Sequence, residues 1–198
     1  FNAPGIGPYL FDHHNTRTYK YDLQLIDAYR ANRHDIEAPN RNFIIFHLYG
    51  QHTAYGERHP ADFAKFGARS VKSKLRLSDE QRGVVADYLN ATLYNDYVVD
   101  SIIRMFSDRN AVVLYFSDHG EEVYDFRMQQ GRTDLKTDVP RALRSQLDIP
   151  SMIYVSPRYA ATHPQQVERI KRSIDRPFMT DNLPQVIFDL LGVRTSYY

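Results

Sequence analysis

The fold is decided by the stretch AVVLYFSDHGEE, residues 111–122. Its first half is apolar and rich in β-branched and aromatic side chains, the pattern of a strand that is buried on both faces. Its second half changes abruptly to Ser117, Asp118, His119 and Gly120, which suit a ligand site better than a core. Such a strand end is typical of α/β proteins, because their ligands gather beyond the carboxyl ends of the strands.

Around this strand the chain alternates between predicted strands and predicted helices. The apolar stripe of the longest helix is expected to face the core. Strands that look buried on both faces and alternate with helices predict an α/β fold with a mainly parallel sheet, and we expect one domain. The predicted elements are an irregular lead-in over 1–18, helices over 21–33, 78–106 and 181–191, and strands over 43–49, 111–116 and 149–155. The expected stripe consists of Val85, Tyr88, Leu89, Thr92, Val99, Ile103 and Phe106.

Composition excludes several classes of function. The 198 residues carry 25 Lys and Arg against 24 Asp and Glu, a net charge of +1, so no global field favours nucleic acid or an anionic membrane as a partner. The absence of cysteine removes disulfides, thiolate zinc sites and cysteine nucleophiles. No apolar run approaches the roughly 18 residues that cross a bilayer, so we expect no membrane segment within this chain.

Two strand ends carry residues suited to chemistry. Asp118 and His119 follow the strand at 111–116, and a carboxylate oxygen with an imidazole nitrogen is a ligand set typical of Zn²⁺ or Mn²⁺. His52 follows the strand at 43–49 and is a second candidate. Each has an ordinary alternative, because Asp–His dipeptides are common where no metal binds and a loop histidine often serves only as a hydrogen-bond partner.

Five blocks of the sequence stand in an order known from one enzyme superfamily. Residues 46–52, FHLYGQH, match a His-Gln-Met-Gly-(Ser/Asn)-His block, and residues 114–121, LYFSDHGE, match a Ser-Asp-His-Gly-Glu metal block. The others are a long helix at 88–100, a strand at 149–157 and a closing helix at 181–193. The chain thereby resembles the alkaline phosphatase superfamily, and within it the sulfatase-like branch that contains the phosphoethanolamine transferases of lipid A and the lipopolysaccharide core.

The resemblance implies a three-layer α/β/α sandwich with a mainly parallel sheet, in which residues 1–198 form the C-terminal portion of one catalytic domain. It implies a metal-dependent transfer in which a threonine attacks the phosphorus of a phosphatidylethanolamine-type donor, and lipid A or the lipopolysaccharide core accepts the group. By matched position Asp118 and His119 would bind the metal, which would be Zn²⁺ or alternatively Mn²⁺ or Ca²⁺. His52 would contact the transferred phosphate or a second metal.

The resemblance also implies a location. Relatives of this kind are anchored by N-terminal transmembrane helices, so the parent protein is expected at the periplasmic face of the bacterial inner membrane, with those helices outside this chain.

The sequence departs from the family pattern in three places. The family's nucleophilic threonine lies N-terminal to all residues present here, and Thr53 does not match its position, so the chain alone is expected to be inactive. Gln130 stands where the family has a histidine, and glutamine hydrogen-bonds a phosphate oxygen but is a poor metal ligand. Gln130 is therefore a candidate substrate contact and argues against a second metal. The disulfides frequent in the family cannot form.

Two other functions remain open from the sequence. One is a sulfatase or phosphodiesterase hydrolase of the same fold, which the identity of the nucleophile would distinguish from a transferase. The other is a non-catalytic binding module of the same fold, which Gln130 favours and which the absence of zinc binding would support.

Overall fold

The computed structural model describes residues 19–37, 42–132 and 135–193, so the predicted lead-in lies outside the described residues. The chain divides into two compact units, Phe1–Ile102 with Glu121–Ala142 and Ile103–Gly120 with Leu143–Tyr198. The one-domain assignment stays a prediction. In chain order the elements are α1 (Asp22–Ala31), α2 (Arg33–Ile36), α3 (Asp79–Phe106), β1 (Val112–Phe116), β2 (Glu122–Val123), β3 (Gln130–Gly131), α4 (Val139–Leu147), β4 (Ser151–Val155), α5 (Pro157–Thr162), α6 (Pro164–Ser173) and α7 (Leu183–Leu191).

The predicted helix over 21–33 is confirmed as α1, whose side chains Leu25, Ile26 and Tyr29 are buried. Its start is fixed because the Gln24 side chain accepts hydrogen bonds from the backbone N–H groups of Lys20 and Tyr21, at 2.8 and 2.9 Å. These bonds tie the first turn of the helix to the two residues that precede it.

The strand predicted over 43–49 is wrong for the described residues. The segment has extended backbone but forms no ladder there, and it is not buried on both faces. Phe43 and Ile45 are exposed, while Phe46 packs edge-to-face against Tyr29 with ring centroids 5.2 Å apart. The exposure alternates because successive side chains of an extended chain point to opposite sides.

The long predicted helix is confirmed as α3, and so is its capping box. Ser78 N donates to Gln81 Oε1 at 2.9 Å, and Gln81 N donates to Ser78 Oγ at 3.2 Å. The buried face, however, differs from the predicted apolar stripe: it includes Ala86, Asn90, Tyr94, Asn95 and Val98, while Leu89 is exposed. Asn90 is buried because its side-chain oxygen accepts the N–H groups of Lys65 and Phe66, at 2.8 Å each.

Two pairs of strands are present among the described residues, and both are antiparallel. β1 pairs with β4, with Leu114 opposite Ile153, and β2 pairs with β3. The predicted parallel pairing is therefore not found in the described part of the chain. An apolar run shows that a strand is covered, but it carries no information about the direction of its neighbour. The strands predicted over 111–116 and 149–155 are themselves confirmed as β1 and β4.

The last described residues form a series of short helices. Ser156 caps α5, since its Oγ accepts the N–H of Tyr159 at 3.1 Å. The predicted closing helix is confirmed as α7, and it ends at Gly192, which has a left-handed φ of 67°. No helix in the described ranges is long and apolar enough to cross a membrane.

Candidate functional site

Asp118 and His119 lie in the loop that follows β1. Ser117 Oγ donates to the His119 carbonyl at 2.8 Å, and His119 N donates to Asp118 Oδ1 at 3.1 Å. Gly120 N donates to the carbonyl oxygen of Gln146 at 2.9 Å. The loop is therefore held both by its own hydrogen bonds and by the end of α4.

The pair fits a divalent metal ion. His119 Nδ1 lies 2.9 Å from the carbonyl oxygen of Gly120, and because a carbonyl only accepts, this contact selects the neutral tautomer in which Nδ1 carries the proton and Nε2 keeps its lone pair. That Nε2 lies 3.6 Å from Asp118 Oδ2. Two ligands of one tetrahedral zinc ion stand about 3.4 Å apart, given zinc–ligand distances near 2.1 Å. The Asp118 side chain is 86% exposed and that of His119 is 27% exposed, so an ion can reach both.

The described residues contain no group of three or more His, Asp or Glu side chains able to hold a metal. Asp118 and His119 alone would therefore supply two of the roughly four ligands that a zinc ion needs. A water, a substrate oxygen or residues beyond the described ranges would supply the others.

His52 is exposed in the turn after the extended segment, and Arg58 holds that turn. Arg58 Nε and Nη2 donate to the Thr53 carbonyl at 3.1 and 3.0 Å, and Nε also lies 3.3 Å from the His52 carbonyl. Buried Asp22 fixes the preceding residues by accepting the N–H groups of Tyr49 and Gly50, at 2.9 and 3.0 Å. The His52 imidazole is thus presented to solvent on a braced turn.

Gln130 lies in β3 beside two tyrosine hydroxyls. Tyr124 Oη lies 3.5 Å from Gln130 Oε1. Tyr55 is buried, and its hydroxyl makes no hydrogen bond of normal geometry among the described residues. Burial raises the pKa of Tyr55, and the nearby Glu121 carboxylate raises it further.

A buried ion pair stands next to this cluster in the sequence. Arg127 donates from Nε and Nη2 to the two carboxylate oxygens of Glu122, at 2.7 and 2.5 Å. The side chain of Glu122 is only 1% exposed and that of Arg127 is 13% exposed. The bidentate geometry compensates the charge that Glu122 carries into the interior.

Asp118 and His119 lie side by side in one compact unit, whereas His52 and Gln130 belong to the other. Sequence reasoning missed Asp22, Arg58 and Tyr55. Arg58 follows His52 by only six residues, which is a usable signal, whereas nothing in the sequence links Asp22 to the turn before His52.

Comparisons with known proteins give the chain its family. The Sulfatase family model matches residues 6–193. The chain is 36% identical over 183 residues to phosphoethanolamine transferase EptC of Escherichia coli, an alignment that covers 90% of this chain and 30% of that protein. It is 34% identical over 183 residues to phosphoethanolamine transferase CptA of Salmonella typhimurium, with the same coverage. The chain therefore spans about 30% of the length of these relatives.

Solved structures agree with this family. The crystal structure of the C-terminal periplasmic domain of Escherichia coli EptC in complex with Zn is similar, with a TM-score of 0.76 and 33% identity over 93% of this chain and 50% of that one. The soluble domain of lipooligosaccharide phosphoethanolamine transferase A from Neisseria meningitidis has the same fold, with a TM-score of 0.63 and 21% identity, over 85% of this chain and 50% of that one. The predicted alkaline phosphatase and sulfatase-like fold class is confirmed, and the chain belongs to the sulfatase family.

Proposed function

We propose that this chain carries the metal- and phosphate-binding part of a phosphoethanolamine transferase that acts on lipid A or the lipopolysaccharide core. The observation that carries the proposal is the Asp118–His119 pair, in which the hydrogen bond from Nδ1 to the Gly120 carbonyl leaves Nε2 free beside a carboxylate. The similarity to EptC and CptA over 90% of the chain supports the choice of a transferase within the family.

In this proposal Asp118 Oδ2 and His119 Nε2 hold the metal. Zn²⁺ is the first choice, because an imidazole and a carboxylate suit it and because a similar solved domain is a Zn complex. Mn²⁺ and Ca²⁺ are the alternatives. A bound divalent ion would lower the pKa of a hydroxyl nucleophile and offset negative charge on the phosphoryl oxygens.

The remaining candidate residues would bind the phosphate. The exposed imidazole of His52 would donate a hydrogen bond to a phosphoryl oxygen, and the Arg58 bonds to the turn would hold it in place. Gln130 would contribute through its Nε2 donor, which can meet a phosphate oxygen but gives no ligand for a second metal.

The donor, the acceptor and the location also belong to the proposal. A phosphatidylethanolamine-type lipid would supply the group, and lipid A or the core saccharide would accept it. The reaction would take place at the periplasmic face of the bacterial inner membrane. A similar solved domain is a C-terminal periplasmic domain, which supports this location.

The test uses the complete protein in bacterial membranes. Asp118→Asn should lower transfer of phosphoethanolamine to lipid A and core by about 100-fold or more, since it weakens charge stabilisation at the phosphoryl group. Asp108→Asn is the matched control, because Asp108 is an exposed carboxylate ahead of β1 that lies beside Arg109. Mass spectrometry of the lipid measures the product. Wild-type transfer in the Asp118 variant overturns the assignment, and release of phosphoethanolamine to water instead of lipid establishes a hydrolase.

A further inference from the structure

A strongly basic surface loop precedes the long helix α3. Residues 65–76, which we call the basic loop, contain five Lys and Arg and no Asp or Glu, whereas the whole chain has a net charge of only +1. All five of these residues are exposed. They are Lys65, Arg69, Lys72, Lys74 and Arg76. Positive charge is therefore concentrated on this loop, although the chain as a whole is nearly neutral.

The backbone of the basic loop is fixed to α3. The Asn90 side-chain oxygen accepts the N–H groups of Lys65 and Phe66, at 2.8 Å each, and Asn90 Nδ2 donates to the Phe66 carbonyl at 3.0 Å. Further along the loop, Arg82 Nη1 donates to the carbonyl of Val71 at 2.9 Å. A partner that binds the loop therefore meets a backbone that is already ordered, so less entropy is lost on binding.

The second half of the basic loop separates apolar side chains from cationic ones. Val71 and Leu77 are buried. Lys72, Lys74 and Arg76, which lie between them, are exposed. Burial of the apolar residues holds this segment on the protein and leaves its cations on the outside.

The cations of the basic loop are not neutralised by carboxylates within the described part of the chain. The ion pairs found there involve other cations, such as Arg30 with Asp27 and Arg172 with Glu168. The nearest acidic residues along the sequence, Asp62 and Asp79, lie outside the loop. Like charges that are close together repel one another, and an anionic surface would offset this repulsion.

An exposed aromatic ring accompanies the cations. Phe66 is 40% exposed, although its backbone N–H and carbonyl are both bonded to Asn90. Cations beside an exposed apolar ring suit the surface of an anionic bilayer, because the cations meet lipid phosphates and the ring enters the boundary of the acyl chains. A single aromatic ring gives no platform on which successive bases could stack, which argues against a nucleic acid.

We propose that the basic loop docks the protein on a bilayer surface that contains anionic phospholipids. Its Lys and Arg side chains would bind lipid phosphates, with a gain in affinity of about fivefold per cation. The inference rests on the membrane location in the proposed function but not on the transfer reaction. The contact requires only the negative charge of the lipid and is separate from recognition of a donor or an acceptor.

The test is cosedimentation of the 198-residue chain with phosphatidylcholine vesicles in the presence of EDTA. The vesicles contain about 30% phosphatidylglycerol, the same fraction of phosphatidylethanolamine, or lipid A at the surface charge of the first. We expect binding to the phosphatidylglycerol vesicles at about 0.1 M salt, and binding at least about tenfold weaker at about 0.5 M salt, because salt screens the attraction.

The other vesicles distinguish docking from substrate binding. Phosphatidylethanolamine vesicles should bind at least about tenfold more weakly than phosphatidylglycerol vesicles, because their surface carries no net charge. Lipid A vesicles of matched surface charge should bind as well as phosphatidylglycerol vesicles. Equal binding of the phosphatidylethanolamine and phosphatidylglycerol vesicles overturns the inference, and so does binding confined to lipid A or no binding to any vesicle.

Two triple variants locate the binding. The loop variant should weaken binding to phosphatidylglycerol vesicles about 100-fold, since it removes three cations of the basic loop. The control variant removes the same charge at exposed cations that each pair with a carboxylate three or four residues away, and it should weaken binding by less than about fivefold. The loop variant carries Lys72→Gln, Lys74→Gln and Arg76→Gln, and the control variant carries Arg30→Gln, Arg144→Gln and Arg172→Gln. Equal weakening in the two variants overturns the inference.

A substitution at Phe66 tests the apolar part of the surface. Phe66→Ala should weaken vesicle binding about fivefold at both salt concentrations, because the ring contributes apolar area and no charge. Far-ultraviolet circular dichroism should show the helix content of the wild type in this variant and in both triple variants. A thymidine oligonucleotide should bind more weakly than the phosphatidylglycerol vesicles, and tighter binding of it would identify a nucleic acid partner and overturn the inference.

This result is separable from the proposed function, because EDTA removes any metal and nothing turns over. Vesicle binding through the basic loop in a protein whose complete form transfers nothing would refute the proposed function alone. Transfer by the complete protein, without vesicle binding by this chain, would refute the docking surface alone.

Discussion

Replacing Gly120 by alanine is expected to destabilise the loop that carries the candidate metal ligands. A Cβ on Gly120 would lie 2.3 Å from the carbonyl oxygen of Ser145, whereas real Cβ atoms do not approach within 3.0 Å. The two backbone segments would have to part by about 0.7 Å. That movement stretches the 2.9 Å bond from Gly120 N to Gln146 O beyond hydrogen-bonding distance.

The magnitude follows from these two losses. Overpacking costs about 1–3 kcal/mol and the lost hydrogen bond costs about 1 kcal/mol, so we expect Gly120→Ala to lower the free energy of unfolding by about 2–4 kcal/mol. Metal affinity should fall as well, because the carbonyl of Gly120 fixes the protonation of His119 Nδ1.

Urea unfolding followed by far-ultraviolet circular dichroism measures the effect. Gly83→Ala is the matched control, since Gly83 lies inside α3 with no atom within 4 Å of an added Cβ. That substitution should stabilise the protein by about 0.5–1 kcal/mol. The reasoning is refuted if Gly120→Ala and the wild type unfold at the same urea concentration.

Three further substitutions test the interior. Arg127→Met should cost about 3–5 kcal/mol of unfolding free energy because it removes the bidentate cation that faces the buried Glu122 carboxylate, and replacing Glu122 by Leu as well should restore most of the loss; a double variant as unstable as the single one contradicts this. Tyr55→Phe should lower the free energy of unfolding only slightly. Burial raises the pKa of Tyr55 and raises that of Tyr94 to about 12, so both stay neutral in the folded chain while the unfolded chain ionises near pH 10. The contribution of these two groups to the free energy of unfolding should therefore be constant below pH 10 and decrease above it. Tyr55→Phe should reduce this decrease in unfolding curves measured between pH 9 and 11. An unchanged slope of unfolding free energy against pH would contradict the assignment. Ser156→Ala should lower the free energy of unfolding by about 1–3 kcal/mol in thermal unfolding, because the buried hydroxyl accepts hydrogen bonds from two backbone N–H groups and donates one to a carbonyl at 2.6 Å. A decrease below about 0.5 kcal/mol would show that these bonds contribute little.

Elements with a local signal could be predicted from the sequence. The capping residues Ser78 and Gln81 mark the start of α3, and Gly192 marks the end of α7, because both signals lie within four residues of the boundary they set. The sequence predicts a buried strand over 43–49, whereas this segment forms no ladder with the described residues. Its apolar composition reports side-chain character, but pairing depends on whether another strand lies alongside, which is a property of the tertiary fold.

In the candidate site too, the sequence indicates the local arrangement but not the contacts between distant residues. Asp118 and His119 are adjacent in the chain, so their proximity follows directly from the sequence. The carboxylate of Asp22 binds the turn at Tyr49 and Gly50 across 27 and 28 residues, and no local pattern encodes that contact. The buried face of α3 differs from the predicted apolar stripe for a similar reason. Asn90 is polar, and it is buried because its side chain hydrogen-bonds a loop that is distant in the sequence.

The most direct measurement is anomalous scattering at the zinc edge from crystals of the chain soaked in Zn²⁺, compared with the Asp118→Asn variant. The account predicts a peak bonded to both Asp118 Oδ2 and His119 Nε2, at about 2.0–2.2 Å from each, and its loss or strong weakening in the variant. No peak at these atoms, or a peak of equal height in the variant, would contradict the assignment of Asp118 and His119 as the metal ligands.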